Sequence, residues 1–330
     1  IATGLFGGPL GSTMNAYVGD LFEGDDRTKA VGYFSLGFPV AVVVAVPIGS
    51  AVGGEYGWQT VCFTLAILSA FMAVGTFRFP HVHIPRQEKG IFAEYGEMLG
   101  VIFHPRGWPF FISFLLIMST FFGYVINIAI WFENNQGLEN HGTNSLSWAY
   151  LCGGLGSILG ALTFRVLVKH FGKVEMLVGS ALVSGVMVYL LVSRPPGTSH
   201  VLLFTLFFFS HFSGSLRRPL AGLIAVDISP PEVRGRFLAM LNITFSLSFA
   251  VAAGWTSLVL VYPDPKTGIK NMEHMDWMAL CIIAGTLAAV PSLLRVRADM
   301  KRLAAERDFA APAIDQTPPG EAVGVIDSEE

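Results

Sequence analysis

The feature that most constrains this chain is a series of long stretches that contain no charged residue. Runs without Asp, Glu, Lys or Arg occupy residues 1–19, 30–54, 56–77, 107–132, 140–164, 176–193, 201–216, 237–263 and 277–294. The seventh run continues past two arginines to residue 226. A bilayer core about 30 Å thick is crossed by roughly 20 apolar residues of helix. The sequence therefore predicts an all-α integral membrane protein with nine candidate transmembrane helices.

The overall composition supports this class and excludes several others. Of the 330 residues, 52% are hydrophobic and only 14% are charged, whereas soluble domains carry about 25% charged residues. The runs lack the alternating pattern of membrane β-strands. A net charge of −3 is too small to indicate nucleic acid as a partner. The three cysteines, Cys62, Cys152 and Cys281, lie inside apolar runs, which indicates buried hydrophobic residues rather than disulfides or metal ligands.

The distribution of lysine and arginine predicts how the helices are oriented. Alternate connections and the tail carry most of the 21 basic residues. The remaining connections hold only Arg194, Lys266 and Lys270. Because positively charged loops stay on the cytoplasmic side, we expect the connection 78–106 and the C-terminus to be cytoplasmic.

Two polar connections share a charge pattern at the same spacing. The pattern pairs Asp20 with Asp227, Asp25 with Glu232, Arg27 with Arg234, and Lys29 with Arg236. Each set lies where one helix is expected to end at the cytoplasm and the next to begin. Because both copies have the same orientation, they predict a parallel repeat, the arrangement of two similar transporter halves. The alternative is a chance likeness between two short polar loops.

Four short motifs lie at the ends of the predicted helices, in residues 19–32, 57–63, 169–173 and 227–236. In chain order they resemble four regions of the major facilitator superfamily. These are the loop between helices four and five, the start of helix six, the basic loop after helix eight, and the loop between helices ten and eleven. The similarity covers nearly all of residues 1–296, and its general pattern is closest to the drug and sugar efflux branch.

The resemblance implies a major facilitator type fold of two six-helix bundles joined by a long cytoplasmic loop. The nine spans would correspond to helices four to twelve, so nine of twelve helices would be present in a chain truncated at its N-terminus. The implied parts are the three remaining helices of the first bundle (1–77), the linker (78–106), the second bundle (107–296) and a disordered cytoplasmic tail (297–330).

The implied activity is secondary transport without a cofactor, rather than enzyme catalysis. The resemblance implies proton-coupled efflux of a small organic solute by a monomer in the plasma membrane, and we expect a bacterial inner membrane. Uptake by symport stays open, because Val46, Ser50 and Ala51 replace glycines of the antiporter motif on helix five. A non-transporting membrane protein or an inactive remnant is a further alternative. The sequence holds no HExxH, GxSxG, P-loop or CxxC motif, and no metal site is expected.

Arg217 and Arg218 lie inside the seventh predicted span and are its most informative residues. At 1.5 Å per residue, Arg218 lies roughly 13 Å from the cytoplasmic end of the helix near Asp227. An arginine at that depth costs at least about 2.5 kcal/mol and usually faces a cavity or a partner. We therefore predict that both arginines bind substrate or take part in coupling, with snorkelling toward the headgroups as the alternative.

A small and polar helix face surrounds Arg218. Its other members are His211, Gly214, Ser215 and Gly222. His211 could titrate during proton coupling or could be a hydrogen-bonded packing residue. Pro219 removes the hydrogen bond to Ser215 and predicts a bend.

Further polar residues lie within other spans. Asn15, Tyr124 and Asn127 could line the central cavity, or could form hydrogen bonds between helices. At the cytoplasmic face, we expect Asp20 with Arg27, and Asp227 with Arg234, to form ion pairs that depend on the transport state. Helix capping and membrane orientation are the alternative roles of these charges.

Overall fold

The computed structural model describes residues 33–34, 36–78, 101, 103–138, 146–229, 233–268 and 270–310, together with positions 14, 17–18, 21–22, 26, 29–30, 96 and 100. Over these residues the main helices are α1 (Gly37–Tyr56), α2 (Trp58–Thr76), α3 (Trp108–Gln136), α4 (Leu146–His170), α5 (Lys173–Val192), α6 (His200–Ser215), α7 (Arg217–Ile228), α8 (Arg234–Val259) and α9 (Asp276–Ala310).

These helices match the spans predicted from the charge-free runs. Six of them, α2, α3, α4, α5, α8 and α9, contain segments long and apolar enough to cross a membrane. Helices α6 and α7 together cover the seventh predicted span. Within the described ranges, the only β-type pairing is one isolated bridge between Val261 and Glu273. The prediction of an all-α membrane fold is confirmed, while most of the first predicted span, 1–19, lies outside the described residues.

Two glycines set the ends of helices through backbone conformations that other residues rarely adopt. Gly57, between α1 and α2, has φ 85°, and Gly137, after α3, has φ 67°. Beyond Gly137, the Leu138 N–H donates to the Phe132 carbonyl at 3.1 Å, which satisfies a carbonyl left free by the end of the helix. The glycine of the motif at residues 57–63 therefore forms the sharp turn between two antiparallel helices.

The packing of the bundle centres on α3 and on the pair α4 and α6. Helix α3 packs against both α8 and α9, and α4 packs most extensively against α6. A Cβ on Gly156 would collide with the backbone carbonyl of Phe208, and a Cβ on Gly160 would lie 2.5 Å from the Phe212 carbonyl oxygen. Small residues thus let two helix backbones approach closely, as is common between membrane helices.

One further contact joins the first part of the chain to the second. Helix α1 packs against α4, and a Cβ on Gly154 would collide with Val43. The helices before the linker therefore touch the bundle after it along α4.

The C-terminal tail differs from the sequence-based expectation. We expected residues 297–330 to be disordered, but α9 continues to Ala310. Residues 297–310 are rich in Ala, Arg, Lys and Leu, which favour helix. In addition, Arg302 donates from Nε to Glu306 at 3.1 Å across one helical turn. The helix therefore extends beyond the apolar run that ends at residue 294.

Candidate functional site

The seventh span is interrupted where the sequence predicted a bend. Helix α6 ends at Ser215 and α7 begins at Arg217. Pro219 has no N–H to donate to the Ser215 carbonyl, and its ring disfavours a continuous helix at that point. Because it falls in the first turn of α7, its missing donor costs nothing there. The break places both arginines at the start of a new helix, in the middle of the span.

Arg217 is enclosed by the bundle. Its side chain is 0% exposed, and its guanidinium carbon lies 4.3 Å from the centre of the Phe121 ring on α3. Nη2 donates a long hydrogen bond of 3.4 Å to the Ser180 carbonyl on α5. Nε and Nη1 have no hydrogen-bond partner. Arg217 is therefore a buried cation that is stabilised mainly by an aromatic face.

Arg218 points toward a different helix and is partly exposed. Its guanidinium carbon lies 4.4 Å from the centre of the Phe245 ring on α8. Phe245 itself is partly exposed and contacts Phe249 one turn along α8, with ring centroids 5.7 Å apart. Of the two arginines, Arg218 is the one that a solute could reach.

Neither arginine has an acidic counter-ion nearby in its span. The charge-free runs of the sequence exclude Asp and Glu from the middle of every span between residues 107 and 294. In the part of the chain that the structure describes, no ion pair involves Arg217 or Arg218. Within the described residues, these two mid-span positive charges are therefore not neutralised by any carboxylate.

The structure joins Tyr124 and His211 through a hydroxyl. Tyr124 Oη lies 3.2 Å from Ser210 Oγ, which in turn lies 3.2 Å from His211 Nδ1. Nδ1 is also 3.2 Å from the Phe207 carbonyl oxygen, and the His211 ring packs on the Phe207 ring with centroids 4.1 Å apart. Tyr124 thus forms a hydrogen bond from α3 to α6 through Ser210, whereas the hydrogen bonds of His211 lie within α6.

Asn127 lies in the C-terminal half of α3, beyond Phe121, the α3 residue that contacts Arg217. Its Nδ2 donates to the Gly123 carbonyl at 2.8 Å, and its Oδ1 accepts from Tyr262 Oη at 3.0 Å. Tyr262 follows the end of α8. Both polar groups of Asn127 are therefore used to connect α3 to the segment after α8, which matches the alternative of a hydrogen bond between helices.

One end of the bundle holds a pair of salt bridges. Lys173 Nζ, at the start of α5, lies 2.5 Å from Asp227 Oδ2 near the end of α7. Arg297 of α9 lies 2.6 Å from Glu175. The structure places Arg234 at the start of α8. Helix α5 is thus tied to both α7 and α9 by charges that lie outside the apolar spans.

Three of the predicted site residues, Asn15, Asp20 and Arg27, lie outside the described residues. Close to their positions, Lys29 forms an ion pair with Asp26 at 2.6 Å. Among the residues that the structure describes, no group of three His, Cys, Asp or Glu side chains could hold a metal ion.

Sequence reasoning missed the aromatic partners of the arginines. Phe121 and Phe245 lie on helices that are far from the arginines in sequence, and the chain has 27 phenylalanines. No motif distinguishes these two from the others. Lys173 was part of a recognised motif, but its pairing with Asp227 required the packing of α5 against α7.

Comparison with known proteins agrees with the motifs and the helical architecture. A search of curated proteins found no match. The family model described as Major Facilitator Superfamily matches residues 1–145 and 139–319, which together cover almost the whole chain. With its membrane-spanning helices and its mid-span arginines, this chain belongs to the major facilitator superfamily of secondary transporters.

Proposed function

We propose that this protein moves a small organic solute across the membrane by alternating access, with Arg218 binding an anionic or polar group of the solute. The observation that carries the proposal is the partly exposed guanidinium of Arg218, which lies in mid-span without an acidic partner. Charged residues at this depth face a cavity or a partner rather than lipid. Transporters of this architecture bind their substrates near the middle of the bilayer.

Protons are the coupling ion of this proposal. The sequence has no P-loop for ATP, so uphill transport by this protein would draw on an ion gradient. His211 is the one histidine in the middle of a span. It lies on α6, just before the break that separates α6 from Arg218 on α7, and its hydrogen bonds to Ser210 and Phe207 lie within α6. A histidine can change its charge near neutral pH.

The proposed direction is efflux, as implied by the similarity to the drug and sugar efflux branch. Proton-coupled uptake is the second candidate, and it stays open because Val46, Ser50 and Ala51 on α1 replace glycines of the antiporter motif. We further propose a monomer in the plasma membrane with its linker and C-terminus in the cytoplasm. The basic residues of the connections support that orientation.

The proposal is tested by solute-stimulated proton flux in proteoliposomes with an imposed pH gradient. The panel should hold drugs, sugars and organic anions, and the sign of the flux distinguishes efflux by antiport from uptake by symport. We expect Arg218→Ala to lose transport while still inserting into the membrane. Lys266→Ala is the matched control, because it removes a positive charge from an exposed outer loop. Normal flux in Arg218→Ala would show that the arginine only snorkels.

A further inference from the structure

We infer that the solute is a small aromatic anion, whose carboxylate pairs with Arg218 and whose ring packs against Phe245 and Phe249. The inference rests on the proposed function and narrows its substrate class. It depends on three observations: the charge of the site, the orientation of the guanidinium, and the aromatic surface beside it.

The charge of the site selects an anion. Arg218 lies in mid-span, and the runs that contain the spans between residues 107 and 294 hold no Asp or Glu. A cation at this depth is costly without a partner. Arg217 adds a second positive charge next to it, but that side chain is 0% exposed and cannot reach a solute. A bound anion would neutralise a charge that no carboxylate among the described residues compensates.

The orientation of Arg218 leaves its hydrogen-bond donors available. The guanidinium carbon lies over the face of the Phe245 ring at 4.4 Å. The N–H groups of a guanidinium lie in its own plane and form a fork that matches a carboxylate. Among the described residues, none accepts a hydrogen bond from the Arg218 side chain. Within the described part of the chain the fork is therefore unused, and it lies on a partly exposed side chain.

Aromatic rings extend from Arg218 toward the outer side of the membrane. Phe245 and Phe249 lie one turn apart on α8 and are both partly exposed. The Phe249 ring stacks on Phe122 of α3 with centroids 3.6 Å apart and an interplanar angle of 17°. Phe122 also meets Phe245 edge to face at 5.1 Å. These contacts join α8 to α3, and the Phe245 ring of this cluster lies directly beside the guanidinium.

The depths of these groups along the two helices agree. Arg218 lies roughly 13 Å from Asp227, at the cytoplasmic end of α7. Phe245 lies roughly 16 Å from Arg234, at the cytoplasmic start of α8. An anion at Arg218 would thus place an attached ring near the level of Phe245, with Phe249 about one helical turn further along α8. Aromatic pairs prefer offset or edge-to-face arrangements over a face-to-face sandwich, and they contribute binding energy beyond the burial of area.

The test is equilibrium binding to the purified protein in detergent, where no ion gradient is needed. Four probes separate the contributions of charge and ring. They are benzoate, cyclohexanecarboxylate, benzyl alcohol and acetate. We expect benzoate to bind about 2–10-fold more tightly than cyclohexanecarboxylate. Benzyl alcohol and acetate should each bind about tenfold more weakly than benzoate or worse, since each lacks one half of the recognised molecule.

Variants assign the two contributions to residues. Arg218→Gln should weaken both cyclic carboxylates by about tenfold or more. Phe245→Leu should remove the preference for benzoate while binding of cyclohexanecarboxylate is kept. Phe209→Leu is the matched control, because it changes a phenylalanine that is 47% exposed on α6, away from the arginine.

Several outcomes would overturn the inference. Equal affinity for benzoate and cyclohexanecarboxylate in the unchanged protein would exclude the aromatic part, whether or not the variants fold. If benzyl alcohol binds as tightly as benzoate, or if neither cyclic carboxylate binds, then the site does not recognise an anion. The proposed function is tested separately: if benzoate binds but no solute drives flux in proteoliposomes, the transport proposal is wrong. Flux of an uncharged solute alone would keep transport and reject the aromatic anion.

Discussion

Arg217 and Arg218 are neighbours in the sequence but have opposite environments. The sequence placed His211 on the same face as Arg218. In the structure, Phe121 lies near His211, with ring centroids 6.2 Å apart, and under Arg217. The helix is interrupted at Leu216. The predicted face assumed one continuous helix, so it does not describe the positions of residues on both sides of the break. The presence of mid-span charges could be predicted from sequence, but which arginine is enclosed depended on the packing of α3.

At the scale of this residue, we predict that Arg217→Met stabilises the protein. Met has a similar length and is apolar, so the variant removes a buried charge whose Nε and Nη1 have no partner. The penalty of an arginine at this depth suggests a gain of about 2 kcal/mol in the free energy of unfolding. Thermal unfolding in detergent measures the gain, with Arg218→Met as the comparison. A marked loss of stability in Arg217→Met would mean that the cation over Phe121 contributes net stability to the bundle.

At the scale of elements, the interface of α4 with α6 depends on glycines. We predict that Gly156→Ala lowers the unfolding temperature and disrupts this interface, because the added Cβ would collide with the backbone of Phe208. Backbone cannot move aside as a side chain can. Gly179→Ala on α5 is the matched control, since nothing lies within 4 Å of a Cβ there. Alanine favours helix over glycine by up to about 1 kcal/mol, so this control should be neutral or stabilising.

An equal response of Gly156→Ala and Gly179→Ala would contradict the importance of close packing between α4 and α6. The sequence showed the glycines inside the fifth span, but not which of them are in contact. Gly153, Gly156 and Gly160 touch α6, while Gly154 touches Val43 of α1. Neighbouring glycines thus serve different interfaces, which only the packing of the three helices decides.

The segment that leads into α3 contains a titratable side chain outside the spans. His104 accepts a hydrogen bond at Nδ1 from the Arg106 backbone N–H at 3.3 Å. Partial burial, and then the nearby charge of Arg106, lower the pKa of His104 below its usual 6.5. His104, Arg106, Asp299 and Arg302 line an open cavity of about 410 Å³. The neutral imidazole is therefore the form that the folded protein favours.

We predict that His104 makes the protein less stable as the pH falls. Its pKa in the folded state is lower than in the unfolded state, so below about pH 6.5 the unfolded chain binds more protons than the folded protein. Proton binding then favours the unfolded state, and the free energy of unfolding falls with the pH. His104→Gln should lose part of this slope, since an amide can still accept the Arg106 N–H without titrating. Unfolding temperatures of both proteins between pH 8 and pH 5 test it. Parallel curves would show that His104 does not sense pH.

At the scale of the whole molecule, charge organises one end of the bundle. The pairs Lys173 with Asp227 and Arg297 with Glu175 lie at the same end as the basic connections. The sequence predicted which connections lie together at this end, because the bias of lysine and arginine can be read from composition without knowing any contact. It did not predict the pairs themselves, nor the helical extension of α9 to Ala310, whose Arg302 and Glu306 stabilise a helix outside the membrane.

The orientation is itself a prediction that labelling can test. After replacement of Cys62, Cys152 and Cys281 by alanine, a single cysteine is introduced at one of two exposed positions, as Thr267→Cys or Lys301→Cys. A membrane-impermeant maleimide should label Thr267→Cys in intact cells. Lys301→Cys should react only after the membrane is opened, because the basic end of a membrane protein stays in the cytoplasm. Labelling of Lys301→Cys in intact cells would invert the orientation and place Arg218 nearer to the outer face.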